Sequence, residues 1–149
     1  MRPPTDMAAS VKARLLNLRA ETGRPFDHLL SAYVLERLLY RLSKSEHRDR
    51  FILKGAVLFS VWFDTPHRAT RDLDLMGYGS NSPDSLVQTF TEICGTPVEP
   101  DGLVFASDTV EAETIRNATE YVGVRVTCVA FLGSARCPVQ IDVGFGDAI

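Results

Sequence analysis

The chain has 149 residues, 45% of them hydrophobic and 23% charged, and its formal net charge is -3. These values are typical of one globular domain that buries about 70% of its unfolded surface, and they exclude a disordered chain. No apolar run approaches the ~20 residues that span a bilayer, and residues 1–10 lack the apolar stretch of a signal peptide. We therefore expect a cytoplasmic protein with no membrane partner, and the net charge argues against a generally basic nucleic-acid-binding surface.

Two amphipathic helices are predicted at the start of the chain, over 6–22 and 26–45, where apolar residues recur at helical spacing. Gly23 ends the first helix, and Pro25 suits the first turn of the second. Six cationic side chains lie within fourteen residues at the end of the second helix and just after it. They are Arg37, Arg41, Lys44, His47, Arg48 and Arg50. This cluster would either bind an anionic partner or complement the negative end of the helix dipole.

The centre of the chain has a strand-and-helix pattern. Phe51–Leu53 has strand character, and Gly55 interrupts it. The segment 56–63 is apolar on every side, which predicts a buried helix. A further helix is predicted to start at Ser82 and Pro83, because a hydroxyl cap followed by proline suits the first helical turn.

Three more strands are predicted, at 103–107, 121–132 and 138–145. The segment 108–120 is ambiguous, with a strand at 110–115 as one option. Together with a strand around 72–75, these elements predict an α/β or α+β domain around a mixed sheet. The chain ends directly after a strand, which suggests a truncated domain.

The three cysteines, Cys94, Cys128 and Cys137, are an odd number at wide spacings. Neither a disulfide framework nor a zinc site has this pattern. We expect buried thiols that act as small apolar side chains.

Asp72 and Asp74 alternate with leucines and would project from one face of a strand, about 6.6 Å apart. Aspartate is disfavoured in strands, and two such charges repel by a few kcal/mol, at an effective dielectric of about 20. A divalent cation would remove that cost, since Mg²⁺ binds carboxylates together with substrate phosphates. The alternative interpretation is a solvated edge strand whose charges prevent aggregation.

Two other residues extend this pattern. Gly55 lies between a predicted strand and a predicted helix, where free N–H groups at a helix start suit a phosphate and glycine permits close approach. Asp142 is the best candidate for a third carboxylate, because it alternates with apolar residues and lies on the same side of its strand as Gln140. Three carboxylates could hold two metal ions.

Three motifs together give the chain a family resemblance. They are Lys54-Gly55-Ala56, then Arg68-x-Thr70-x-Asp72-x-Asp74, then Gln140-Ile141-Asp142-x-Gly144-x-Gly146-Asp147. This pattern resembles the nucleotidyltransferase AbiEii/AbiGii toxin family of the DNA polymerase β-like nucleotidyltransferase superfamily. The likeness covers about 51–75 and 138–147 closely, and the two leading helices loosely.

The resemblance implies a nucleotidyltransferase core over 1–149, with leading helices at 1–47 and the sheet and catalytic motifs at 48–149. Asp72, Asp74 and Asp142 would be catalytic and bind two Mg²⁺ ions. The nucleoside triphosphate would contact Lys54, Gly55, Ala56, Arg68 and Thr70. The acceptor could be tRNA, and a cognate antitoxin would be a partner in a toxin–antitoxin or phage-defence system.

The chain departs from the family pattern at two points. Ala56 stands where the family often has glycine or serine, so contact with phosphate would depend on backbone N–H groups there. The family usually continues into a helical region with a lysine and further acidic residues. The chain therefore resembles the N-terminal half of such a protein, with the C-terminal helical region absent. An alternative function is an inactive nucleotidyltransferase-fold module that contacts an antitoxin or nucleic acid.

Overall fold

The fold was analysed in a computed structural model that describes residues 6–53, 72–116 and 122–145, with residues 72 and 122 described by their backbone alone. Within these ranges the helices are α1 (Met7–Thr22), α2 (Phe26–Lys44) and α3 (Pro83–Cys94), with a short 3₁₀ turn at Arg48–Arg50. The strands are β1 (Phe51–Leu53), β2 (Asp72–Gly77), β3 (Leu103–Arg116), β4 (Val122–Leu132) and β5 (Ala135–Phe145). The predicted helix at 56–63 lies outside the described residues.

The helix boundaries follow from local hydrogen bonding. Asp6 accepts a hydrogen bond from the backbone N–H of Ala9 (3.0 Å) and so caps α1. Gly23, at φ 76°, ends α1 in the left-handed conformation that favours glycine. Ser82 caps α3 through the N–H of Ser85 (3.2 Å). The predicted starts and ends of these helices are therefore confirmed.

The five described strands form one mixed sheet in the order β1-β2-β5-β4-β3. β2 and β5 are parallel, whereas the other neighbours are antiparallel. This confirms the predicted α+β class with a mixed sheet. None of the described helices is both long enough and apolar enough to cross a bilayer.

β3 is longer than the sequence predicted, because the ambiguous segment 108–120 continues the strand as far as Arg116. The pairing of β3 with β4 shifts between Ala106 and Glu111, which marks a bulge. Thr109 stabilises the bulge: its hydroxyl donates to the carbonyl of Ala106 (2.6 Å) and accepts from the N–H of Val129 (2.9 Å). The polar segment between Ala106 and Glu111 can thus remain part of the sheet, because the Thr109 hydroxyl forms hydrogen bonds where the backbone pairing is interrupted.

Helices α2 and α3 cover one face of the sheet, and the core lies between the two layers. All three cysteines are buried and free, as predicted from their number and spacing. A hydrogen bond with Cys94, together with burial, raises the pKa of the Cys128 thiol, so this thiol stays protonated. These thiols serve as packing groups of the core.

The cation cluster at the end of α2 is largely used inside the protein. The Arg41 guanidinium is buried and donates two hydrogen bonds to Asp101 (2.8 and 3.1 Å), and Arg37 donates a third (2.9 Å). Burial alone would raise the pKa of Asp101, but the hydrogen bonds from both arginines outweigh it and hold that pKa below its ordinary value. Neither interpretation of the cluster included this pairing with Asp101, although Arg41 and Lys44 do lie in the last turn of α2, as complementing the helix dipole requires.

Asp101→Asn is expected to lower the free energy of unfolding by about 3–5 kcal/mol, because it leaves the buried Arg41 charge unpaired. Urea denaturation at pH 7 measures this loss. Glu99→Gln is the matched control, since Glu99 is exposed and its bond to Tyr40 (2.9 Å) lies at the surface, so its loss should change the stability far less. Equal losses in the two variants would contradict the assignment.

The same pair predicts a pH dependence. A depressed pKa in the folded state means that Asp101 stabilises the protein above the ordinary aspartate value of about 3.9 and loses this effect as the pH falls through the lower folded value. The stability difference between the wild type and Asp101→Asn should therefore shrink on acidification below about pH 4. A difference that stays constant from pH 7 to pH 3 would exclude ionised Asp101 as its source.

Candidate active site

Strand β2 carries the Asp-x-Asp motif at its start, and its two faces differ sharply. Leu73 and Leu75 are each 1% exposed and pack in the core, whereas Asp74 is exposed on the opposite face. Asp72 begins the strand two residues earlier, and residues two apart on a strand belong to the same face of the sheet. The predicted strand with one polar face is confirmed.

Strand β5 brings the third predicted carboxylate to the same place. Asp142 is the register partner of Asp74 in the parallel β2–β5 pair, and Gln140 is the partner of Asp72. Ile141 and Val143 are buried, so Asp142 faces outward like Asp74. Adjacent strands lie about 4.8 Å apart, which brings two residues that are distant in sequence into one polar row.

Strand β4 supplies a residue that the sequence analysis missed. Arg125 is the register partner of Asp142 and donates two hydrogen bonds to its two carboxylate oxygens, from Nε (2.9 Å) and from an Nη (3.2 Å). This bidentate geometry is the strong form of an arginine–carboxylate pair. The signal in the sequence was the alternation of 122–132, which turns Arg125 to the polar face, but the pairing itself depends on long-range register.

Five predicted nucleotide-binding residues, Lys54, Gly55, Ala56, Arg68 and Thr70, lie outside the described residues. The described part of this region ends at Leu53, whose register partner is Leu75. Strand β1 therefore ends one position from Asp74 along β2. The role of these five residues stays a prediction.

The donors on this face fit a divalent metal. Asp74 and Asp142 offer carboxylate oxygens, the ligands that Mg²⁺ prefers, and they are neighbours on an accessible polar face. The guanidinium of Arg125 lies on the Asp142 oxygens that a metal would bind. A metal bound at Asp142 would therefore either share this carboxylate with Arg125 or displace the Arg125 guanidinium from it.

A second group of metal-ligating side chains lies on the helical layer. Glu46, His47 and Glu92 have ligand atoms within 4.8 Å of one another. His47 Nε2 is hydrogen-bonded to the Glu92 carboxyl (2.6 Å), and this hydrogen bond lowers the pKa of the Glu92 carboxyl. This pair links the end of α2 to α3 and needs no metal to explain it.

The described strands thus bring together the Asp-x-Asp motif and Asp142, as the family resemblance implies. A family model described as "Nucleotidyl transferase AbiEii toxin, Type IV TA system" matches residues 37–149. The chain belongs to this family, and with it to the nucleotidyltransferases of type IV toxin–antitoxin systems. No curated protein and no solved structure gives a significant match.

Arg125→Ala is expected to tighten binding of Mn²⁺ in the absence of nucleotide by about tenfold. A unit charge ~6 Å from a divalent ion costs ~1.4 kcal/mol even in water, and the guanidinium also competes for the same oxygens. Calorimetry or electron paramagnetic resonance measures this affinity. Arg116→Ala removes the same charge from an exposed position at the end of β3 and is the control. Unchanged or weaker binding in Arg125→Ala alone would contradict the competition.

Proposed function

We propose that the protein transfers a nucleotide from a nucleoside triphosphate to an acceptor and releases pyrophosphate, as the toxin of a two-gene system. Family membership supports the reaction class. The single observation that carries the proposal for this chain is that Asp74 and Asp142 are register partners on the exposed face of the sheet. Two neighbouring carboxylates on an accessible face supply the oxygen ligands that Mg²⁺ prefers.

In this proposal Asp72, Asp74 and Asp142 hold two Mg²⁺ ions. Bound metal ions in such a site supply charge neutralisation at the attacking and leaving oxygens. Lys54, Gly55, Ala56, Arg68 and Thr70 would bind the phosphates, partly through backbone N–H groups. Arg125 orients Asp142 through both of its oxygens before the substrate binds.

The remaining parts of the proposal concern organisation and partners. Residues 1–149 would act as one core, in which the helices of 1–47 cover the sheet of 48–149. The acceptor would be tRNA or another hydroxyl-bearing molecule, a cognate antitoxin would neutralise the toxin, and both would be met in the cytoplasm. The net charge of -3 suits local rather than general binding of nucleic acid.

A second function fits one observation. Because Arg125 occupies both oxygens of Asp142, the carboxylate already has a cationic partner without metal. An inactive module of the same fold, which contacts an antitoxin or nucleic acid, would keep this pair permanently. Calorimetric titration with Mg²⁺ and each nucleoside triphosphate separates the two functions, since only the enzyme should bind them together.

Asp74→Asn and Asp142→Asn are each expected to reduce nucleotide transfer by at least about 10²–10³-fold, because each removes a charge that binds metal. Transfer of label from an α-³²P-labelled triphosphate to total RNA or protein measures the activity. Asp72→Asn should behave in the same way.

Asp49→Asn is the matched control, because Asp49 is an exposed aspartate in the 3₁₀ turn and lies outside the site. It should keep full activity. Undiminished transfer in Asp74→Asn and Asp142→Asn would overturn the proposed function. Release of phosphate without transfer to any acceptor would instead assign a phosphohydrolase.

A further inference from the structure

A cleft of about 590 Å³ lies where β3 bulges away from β4. Thr127 and Gln140 line it from the middle strands, and Asp108 and Glu111 line it from β3. Its volume lies within the range of about 300–1,000 Å³ that is usual for small-molecule sites.

The bulge that borders the cleft is a built feature. Ala106 pairs with Val129 and Glu111 pairs with Thr127, so residues 107–110 stand opposite Cys128 alone. The two hydrogen bonds of the Thr109 hydroxyl, to Ala106 and from Val129, hold the bulge at its Ala106/Val129 end. Bulges of this kind occur next to active sites, where they redirect the side chains of a strand.

The strand register relates the cleft to the candidate carboxylates. Gln140 precedes Asp142 by two residues on the same face of β5, about 6.6 Å along the strand. Gln140 is also the register partner of both Asp72 and Thr127. A triphosphate held at the carboxylates would therefore have its nucleoside within reach of this cleft.

The charges of the lining decide which part of a substrate fits. Among the charged residues that line the cleft in the described part of the chain, Asp108 and Glu111 are carboxylates and Arg136 is a guanidinium. Two negative charges against one positive charge disfavour phosphate. The Thr127 hydroxyl and the Gln140 amide both donate and accept hydrogen bonds, which suits the neutral edge of a base or a ribose.

We infer that this cleft binds the nucleoside part of the substrate and that Gln140 and Thr127 select the base. The inference rests on the proposed function, because it requires a triphosphate at the neighbouring carboxylates. It assigns nucleotide preference to side chains on the sheet itself.

Binding of the four nucleoside triphosphates and of inorganic tripolyphosphate, each with Mg²⁺, is measured by calorimetry on the wild-type chain and on variants. Gln140→Ala and Thr127→Val are each expected to weaken binding of the preferred triphosphate by roughly three- to tenfold, through loss of a neutral hydrogen bond. The ratio of the affinities for the preferred and the other triphosphates should decrease in the same variants. Tripolyphosphate affinity should stay unchanged, which also checks that Asp72 beside Gln140 is undisturbed.

Asp49→Asn is the control for general effects of a side-chain change, because Asp49 is exposed in the 3₁₀ turn and lies outside both the cleft and the carboxylate face. Arg136→Gln tests the orientation, since it should leave tripolyphosphate affinity unchanged. A tenfold fall in that variant would mean that phosphate occupies the cleft and would overturn the inference.

The remaining outcomes are separable. Equal losses for triphosphates and tripolyphosphate in Gln140→Ala and Thr127→Val, or no loss for either, overturn the nucleoside site while leaving the proposed function intact. If the wild type binds neither triphosphates nor tripolyphosphate with Mg²⁺, the proposed function fails and the nucleoside site fails with it.

Discussion

The parallel pairing of β2 with β5 is the constraint on which the candidate site depends. Leu73 pairs with Ile141 and Leu75 pairs with Val143, and all four side chains are at most 1% exposed. Side chains alternate along a strand, so a slip of one residue would exchange the buried and the exposed sets. Burial of these four residues therefore also determines that Asp74 and Asp142 face outward at the same level.

The energies involved show why the fold tolerates the aspartates. Burying four aliphatic side chains contributes roughly 6–12 kcal/mol, whereas two carboxylates ~5 Å apart repel by about 1–3 kcal/mol, depending on solvent exposure. Core packing thus exceeds the repulsion and holds the register. Arg125 reduces the remaining repulsion by neutralising Asp142 from the next strand. Packing on the buried face of the sheet therefore fixes the positions of the candidate site residues, which lie on the exposed face.

Local patterns in the sequence predicted most of the described elements. Apolar spacing together with Gly23 and Ser82 located the helices, since these two residues act through bonds within a few residues. Alternation also predicted which side of β5 carries Asp142. The continuous strand through 108–116 was not predicted, because it depends on Thr109 bonding to Val129, twenty positions away.

The candidate site divides in the same way. Spacing alone predicted that Asp72 and Asp74 share a face, and the alternation around Asp142 made it the candidate third carboxylate. The contact of Arg125 with Asp142 could not be read from spacing, because it requires knowing that β4 and β5 pair with these two residues opposite each other. The Asp101 ion pairs were missed for the same reason, since they join α2 to a loop about sixty residues later.

The distribution of cations on the described residues bears on how the proposed site would hold a polyanion. The segment 37–50 looks basic, but Arg41 is buried with Asp101, Arg37 shares that carboxylate, and Arg50 contacts Thr89. These three guanidinium groups bind partners within the helical layer, which covers the opposite face of the sheet from Asp74. On the carboxylate face itself, Arg125 is matched by Asp142 and by its other neighbour Glu113. In the proposed function, bound Mg²⁺ would therefore supply the positive charge that a triphosphate needs on this face, since a bound cation is often the largest local charge in a site.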